Sequence, residues 1–192
     1  MPSAAEPSPV LRAVLDAAVR ATGASCGWLA AVSADNAELV AVDAIGDGAE
    51  RVAGGAVPVD SGTAGFVVAS GQPVAVAARG DEGLLCEGLA ARLDPLPASI
   101  VSVPCADTEG VVGALELVDK AGGTPFSFDD VELATLLAGI AAAALTGTPG
   151  GAGAPRLPDP RRLGAELTRL AGADPARYAA IAAAVDALLA GA

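Results

Sequence analysis

Two pairs of short apolar runs constrain this chain more than any other feature of its sequence. The first pair covers residues 26–33 and 38–45, and the second covers residues 99–105 and 111–119. Each run is rich in Val, Leu and Ala, and within each pair a turn-like segment separates the two runs. Runs of this length are typical of strands, and paired runs joined by a short turn predict β-hairpins. The pattern therefore predicts a mostly antiparallel sheet.

Helical patterns flank these hairpins. Residues 10–22 carry an apolar stripe and are followed by Gly23, which is typical of a helix C-terminus. Residues 129–146 are apolar on nearly every side. Such a helix must be covered on more than one side, by the sheet and by the first helix, the tail or a second subunit.

Only 3% of the residues are aromatic, so the core must be aliphatic. Shorter elements are expected between the two hairpins. The patterns predict strands at 56–59 and 74–77, a loop at 46–55, and helices at 64–70 and 82–93. Together the elements predict an α+β fold with helices packed on one face of the sheet.

The chain divides into four segments. Residues 1–9 form a Pro- and Ser-containing leader, which we expect to be disordered, and residues 10–146 form the main domain. Residues 147–158 form a Gly- and Pro-rich linker. Residues 159–192 contain two aspartate–proline pairs, each typical of a helix start, and each following segment has one apolar stripe. We therefore expect a helical hairpin that binds a partner protein.

The charge distribution argues against nucleic acid as a partner. The net charge is −12, and residues 1–155 contain 19 acidic and only 6 basic residues. Nucleic-acid binding needs a basic face that neutralises phosphates. The longest apolar run, residues 133–145, is shorter than the roughly 20 residues that cross a bilayer. We expect neither a nucleic-acid partner nor a membrane partner.

The chain lacks residues that several kinds of catalysis and metal binding require. The chain has no histidine, which excludes histidine-ligated haem, zinc and iron and the Ser-His-Asp type of catalysis. Its three cysteines lie far apart, and the N-terminus has no signal-peptide pattern. These features favour a cytoplasmic protein with no metal or other cofactor.

Three stretches, taken together, resemble GAF domains. Residues 61–76 read SGTAGFVVASGQPVAV, residues 99–105 read SIVSVPC, and residues 110–120 read GVVGALELVDK before the FSFDD of residues 126–130. GAF domains show the same order: a segment with spaced glycines, a strand ending in Val-Pro, a glycine-containing strand ending in Asn-Lys, and a Phe followed by Asp-Glu. The resemblance covers residues 10–145.

The resemblance implies a ligand pocket between the short helix and the sheet. Its candidate residues lie on the first strand, at the start of the short helix and on the facing strand: Trp28, Gly62, Thr63, Ala64, Gly65, Phe66, Ser99 and Val101. Free N–H groups at the helix start could face a polar ligand. Alternatively, Trp28 and Phe66 simply fill the core.

The closing motif implies a structural role for Lys120, Phe126 and Asp130. An ion pair between Lys120 and Asp130 would fix the connection from the strand to the last helix, with Phe126 in the core below. Asp119 stands where the family has Asn, and Val131 stands where it has Glu. Both departures argue against cyclic-nucleotide binding in particular.

Three functions remain open. The first is a non-catalytic sensor that binds a small molecule and acts on a partner protein through its terminal helices, as a homodimer. The second is a scaffold with a GAF fold and no ligand. The third is a thiol-based reductase of the free methionine-sulfoxide type, using Cys86 and Cys105. We expect a sensor rather than an enzyme, since buried free cysteine is the commoner state of such residues.

Overall fold

The computed structural model describes residues 8–77, 87–146 and 160–190. The helices are α1 (Pro9–Thr22), α2 (Ala49–Val52), α3 (Gly62–Ser70), α4 (Phe128–Leu145), α5 (Pro160–Ala173) and α6 (Pro175–Ala190). The strands are β1 (Ala24–Val32), β2 (Glu38–Gly46), β3 (Ala56–Pro58), β4 (Val74–Ala77), β5 (Ser99–Ala106) and β6 (Val111–Lys120). Single 3-10 turns lie at Ala90–Arg92 and Ala121–Gly123.

The strands form one antiparallel sheet in the order β3-β2-β1-β6-β5-β4. The two predicted hairpins, β1–β2 and β5–β6, meet at the centre, where β1 pairs with β6. Trp28 lies opposite Glu116 in that pair, and Ser102 of β5 lies opposite Glu116 on its other side. Residues of three neighbouring strands therefore form one row across the middle of the sheet.

The long helices pack on one face of the sheet. The buried stripe of α1 includes Leu11, Val14 and Leu15, and Gly23 ends this helix in the left-handed conformation. Alternate side chains of the central strands meet the helices, among them Leu115 and Leu117 of β6. We call this side the long-helix face.

The short helices lie on the opposite face, so the sheet lies between two helical layers. Helices α2 and α3 and the turn at Ala90–Arg92 cover a second core, which contains Trp28, Ile100 and Val67. We call this side the α3 face. The expected antiparallel α+β fold is confirmed. Helices were expected on one face of the sheet; the long helices lie on one face, and the short helices lie on the other.

Helix α4 has the cover that its all-round apolar sequence requires. It packs on β5, β6 and α1. The tail adds further cover, since Ile181 of α6 is buried in the same core and Leu167 and Leu170 of α5 pack against it. Asp174 caps α6 by accepting a hydrogen bond from the N–H of Arg177 at 3.0 Å. The tail thus folds back onto its own chain.

Two local predictions were wrong. The expected loop at 46–55 contains the short helix α2. Within the expected helix at 82–93, residues 87–93 form only a 3-10 turn, because Gly88 has φ +68° and Pro95 follows. The leader up to residue 7, residues 78–86 with Cys86, and the linker with Asp159 lie outside the described residues.

Candidate functional site

The candidate site is built around Glu116, an acid in the middle of β6. The apolar run of this strand alternates between the two faces of the sheet, and Glu116 occupies a position directed at the α3 face. Its neighbours Trp28 and Ser102 lie on β1 and β5, and Thr63 lies on α3 above them. Four elements therefore place one polar group each at a single point.

All four side chains are withdrawn from solvent. Glu116 is 1% exposed, Thr63 is 2% exposed, and Trp28 and Ser102 are fully buried. The Nε1–H of Trp28 donates to Oε2 of Glu116 at 2.8 Å. The hydroxyl of Thr63 donates to Oε1 at 2.5 Å. Each carboxyl oxygen therefore has a neutral donor, and the bond from Thr63 ties α3 to the sheet.

Ser102 is the incompletely bonded member of the group. It faces Glu116 directly across the strand pair, and its hydroxyl helps to lower the pKa of that acid. Its buried Oγ nevertheless completes no well-aligned hydrogen bond. A buried polar atom without a partner costs free energy, so this hydroxyl can accept or donate a further bond.

Burial dominates the titration of Glu116. Removal from water raises the pKa of its carboxyl above the ordinary value, although the bonds from Thr63 and Trp28 oppose the shift. In the parts of the chain that the structure describes, no basic side chain forms an ion pair with Glu116. A carboxyl in this setting can accept a hydrogen bond or a positive charge, or can hold a proton.

The backbone at the start of α3 depends on two of the predicted glycines. Gly62 has φ +65°, a conformation that favours glycine. A Cβ on Gly65 would lie 2.3 Å from the carbonyl carbon of Asp60, so only glycine allows the chain to pass this closely. Ala64, between them, is buried on the α3 face. These residues position Thr63 above Glu116.

Three of the predicted pocket residues lie elsewhere. Val101 belongs to the core on the long-helix face, and Ser99 has the same orientation because it lies two positions away on β5. The prediction put Ser99 and Val101 on the same face of the sheet as Trp28. Side chains alternate along a strand, so the neighbouring residues Ile100 and Ser102 lie on that face instead. Phe66 is 50% exposed, so it lies at the surface rather than in a buried wall.

The sequence prediction missed Glu116 and Ser102. A signal was present, since Glu116 is the only charged residue of the run 111–118. An acid inside a strand that is buried on both faces must meet polar partners, so its position alone marks a polar site.

The predicted structural bridge is present. Nζ of Lys120 donates to Oδ2 of Asp130 at 2.5 Å, and Asp130 forms a capping box with Ser127 at the start of α4. Phe126 is 8% exposed and lies in the long-helix core. Burial alone would raise the pKa of Asp130, but Lys120 and Ser127 outweigh that effect and hold it below its ordinary value.

The two described cysteines lie on opposite faces of the sheet. Cys105 lies in the long-helix core, where burial raises the pKa of its thiol to about 12. Cys26 lies on the α3 face, where burial and then Asp47 raise its pKa to about 11. Neither thiol forms the thiolate needed for nucleophilic chemistry near neutral pH. Among the residues that the structure covers, no cluster of His, Cys, Asp or Glu could hold a metal ion.

No helix in the described segments is long and apolar enough to span a bilayer.

A further ion pair lies on the long-helix face, where Arg12 of α1 reaches Oδ1 of the buried Asp43 at 2.6 Å. Burial raises the pKa of Asp43 even though Arg12 opposes the shift. This pair fastens α1 to β2 and is remote from Glu116 because it lies on the other face.

Comparison with known structures places the fold among GAF domains. The chain is similar to the GAF-B domain of DevS from Mycobacterium smegmatis, with 27% identity and a TM-score of 0.57 over 73% of this chain and 93% of that one. It is also similar to the GAF domain of a phosphoenolpyruvate-protein phosphotransferase from Acinetobacter, with 14% identity and a TM-score of 0.58 over 75% of this chain and 95% of that one.

A third similar structure is an enzyme. The free methionine-R-sulfoxide reductase from Neisseria meningitidis, solved with its substrate, has 21% identity and a TM-score of 0.56 over 74% of this chain and 81% of that one. At 14% and 21% identity, the phosphotransferase and reductase likenesses show a shared fold alone.

No curated protein matches the chain significantly. The family model described as "GAF domain" matches residues 4–146, which include every strand of the sheet and helices α1 to α4. The chain therefore belongs to the GAF domain family.

Proposed function

We propose that this protein is a regulatory module that binds a small molecule at Glu116 and passes the change to a partner protein through its terminal helices. GAF domains are typically sensory or regulatory. The observation that carries the proposal is the buried carboxyl of Glu116, held by Trp28 and Thr63 on an otherwise aliphatic face of the sheet.

A buried acid at this position is costly to the fold, even with the bonds from Trp28 and Thr63. A buried carboxyl loses its hydration, and apolar side chains of similar size are often as stable or more stable at such sites. The alanine and valine two residues away on the same strand face, Ala114 and Val118, are both fully packed. An acid between them supports a role in recognition.

The site favours one class of ligand. Glu116 offers a carboxyl, and Ser102 offers a free hydroxyl beside it. A ligand with a hydrogen-bond donor or a protonated amine could bond to both groups, and its apolar part could lie among the aliphatic side chains of the α3 face. A purely anionic ligand would meet the carboxyl unfavourably.

Helix α3 is the element that ligand binding would move first. Thr63 is bonded to the same oxygen that a ligand donor would use. A ligand that replaces Thr63 at Oε1 releases the start of α3 from the sheet. From Glu116, strand β6 continues directly to Lys120, whose bridge to Asp130 fixes the start of α4. Glu116 is thus four residues along the strand from the bridge that anchors the start of α4.

A thermal-stability panel tests the proposal. Amino acids, nucleobases, nucleotides and small amines are added to the wild type and to Glu116→Gln, which keeps the size of the side chain and removes its charge. We expect at least one amine- or donor-bearing compound to raise the melting temperature of the wild type and not of the variant, by mass action on the folded state. A panel without any stabilising compound, or equal stabilisation of both proteins, would reject ligand sensing at Glu116.

One observation favours a second function, that of a ligand-free scaffold. Both oxygens of Glu116 already have donors within the protein, so the acid could serve only to fasten α3 to the sheet. In that case Glu116→Gln would change stability and no compound would bind. The reductase hypothesis gains less support, since Cys105 faces the long-helix core. Cys86 lies outside the described residues.

The cellular setting is part of the same proposal. We expect a cytoplasmic protein, in which the free cysteines Cys26 and Cys105 stay reduced. We also expect a homodimer, to be tested by light scattering at micromolar concentration. A monomer throughout that range would reject it. In this structure the tail covers part of α1, so any pairing through α1 must share or displace that cover.

A further inference from the structure

Three consecutive residues at the end of β6 each contact a different element of the fold. Asp119 contacts the start of β5, Lys120 contacts the start of α4, and Ala121 contacts the end of α1. Glu116 lies three residues before the first of them. We call residues 119–121 the strand-end junction.

The carboxylate of Asp119 fixes the start of β5. Its Oδ1 accepts the backbone N–H of Ala98 at 2.7 Å and that of Ser99 at 3.2 Å. Ser99 is the first residue of β5, the strand whose Ser102 lies opposite Glu116. The side chain of Asp119 therefore holds together, at one end, two of the strands that build the candidate site.

The other two residues of the junction hold the two long helices of the domain. The N–H of Ala121 donates to the carbonyl oxygen of Gly23 at 2.7 Å, and Gly23 ends α1 in the left-handed conformation. Nζ of Lys120 donates to Oδ2 of Asp130, which lies in the first turn of α4. The end of α1 and the start of α4 are thus fastened to two adjacent residues.

The backbone of Asp119 adopts the left-handed conformation, with φ +52°. Few residues other than glycine adopt it, and Asn and Asp are the common exceptions. Side chains of a regular strand alternate between two directions, and a left-handed residue turns the chain out of that alternation. Three neighbouring residues can therefore reach three separate elements. The bonds from β5 to Asp119 stabilise the chain in this sparsely populated conformation.

We infer that Asp119 is a positioning residue for the candidate site, and that the strand-end junction passes a change at Glu116 to α1 and α4 together. Strand β6 is paired with β1 on one side and with β5 on the other, so a shift of Glu116 displaces the end of the same stiff strand. The bonds of the junction carry that displacement into each helix. The inference rests on the proposed function, since a ligand at Glu116 would supply the change.

Amide chemical shifts of the full-length protein test the junction without any small molecule. Glu116→Gln is introduced into the wild type and into three variant backgrounds. Asp119→Gly keeps the preference for the left-handed conformation and removes the carboxylate, whereas Asp119→Asn keeps both the preference and an acceptor oxygen. The matched control is Asn36→Gly, because Asn36 is also left-handed, with φ +56°, and lies in the turn at the opposite end of β1.

The expected result separates the two ends of the strand. In the wild type, Glu116→Gln should shift the amide resonances of residues 20–23 in α1 and residues 131–134 in α4. Both sets of shifts should persist in the Asp119→Asn and control backgrounds and should be lost in Asp119→Gly. The indole N–H of Trp28 should shift in all four backgrounds, because it is bonded directly to Glu116 and reports that the site is folded.

Equal helix shifts in the wild-type and Asp119→Gly backgrounds would overturn the inference, and so would the absence of helix shifts in the wild type. Ala121→Pro is a second variant, should Asp119→Gly fail to fold. A proline suits the first position of a 3-10 turn after an extended residue, and it removes the N–H that binds Gly23. It should abolish the α1 shifts and keep those of α4. Unchanged α1 shifts in this variant would also overturn the inference.

The outcome is independent of ligand sensing. Binding of a compound at Glu116 is measured by thermal stabilisation of the wild type, and the junction is measured by amide shifts in the absence of any compound. A stabilising compound together with unlinked helices would reject the junction alone. Linked helices without any stabilising compound would reject ligand sensing alone.

Discussion

Replacement of Asp130 by alanine should be among the most damaging single changes in this domain. The substitution removes the acceptor shared by Lys120, Ser127 and Arg177 at the point where β6 leads into α4. Lys120 then keeps a side chain that is only 24% exposed without its anionic partner. Such an orphaned charge is more costly than the original pair was stabilising.

The magnitude follows from the ion pair and the helix cap that the substitution removes. Breaking a buried ion pair by removing one partner costs about 3–5 kcal/mol, and loss of a helix cap costs about 1 kcal/mol. The exposure of Lys120 allows water to reach its ammonium group, which reduces the ion-pair contribution to about 2–3 kcal/mol and the total to about 3–4 kcal/mol. For a chain of 192 residues, this corresponds to a melting temperature lower by roughly 6–16 °C.

Urea and thermal unfolding, followed by circular dichroism, measure the effect. The matched control is Asp129→Ala, because Asp129 also lies in the first turn of α4 but is exposed. The control removes only a favourable interaction with the helix dipole, worth about 0.3–1 kcal/mol. If Asp130→Ala costs no more than the control, Asp130 does not fix the strand-to-helix connection.

Two further predictions concern the site itself. Glu116→Gln keeps an acceptor for Trp28 and a donor towards Thr63, and it abolishes a carboxyl whose pKa burial raises above its ordinary value of 4.5. A raised pKa means that the folded state holds the proton longer, so the wild type should lose stability relative to the variant as the pH rises above about 4.5. Urea titrations at several pH values measure this difference, and a constant or opposite difference would show that burial does not control Glu116. Gly65→Ala should cost about 1–3 kcal/mol, because the added Cβ meets the backbone of Asp60 at 2.3 Å. Gly139→Ala, in α4 with nothing within 4 Å, should instead stabilise by up to about 1 kcal/mol, and equal effects of the two changes in urea unfolding would contradict the proposed close approach.

The fold was predictable because its signals are local. Strand-length apolar runs, the turns between them and glycines such as Gly23 and Gly71 mark the elements to within a few residues. The pairing of β1 with β6 joins residues about 90 positions apart, and nothing local specifies it. The family resemblance predicted the fold class but not this pairing.

The site was less predictable because it depends on which face each strand residue occupies. Continuous apolar runs such as residues 99–105 show no polar alternation, so their two faces cannot be told apart by pattern alone. Val101 and Ser99 were consequently assigned to the wrong face, and Ser102 was overlooked. Glu116 could have settled the orientation, since a buried acid identifies the face that carries polar partners.

The tail illustrates a different limit. Its apolar stripe predicts a packed face, but a stripe does not say what covers that face. The structure places Ile181 against the chain's own core and Arg177 on Asp130. Arg177 carried no signal in the sequence because its partner lies 47 residues away.

Fluorescence of Trp28 tests ligand sensing at Glu116 most directly. Trp28 is the only tryptophan in the chain, it is fully buried, and its Nε1–H is bonded to Glu116. A compound that binds at this site must change the surroundings of the indole, so titration of the metabolite panel should give a saturable shift in emission with at least one compound. We predict that Glu116→Gln abolishes this shift while keeping the emission of a buried indole. A panel that leaves the emission of the wild type unchanged, or a shift that persists in the variant, would contradict ligand sensing at this acid.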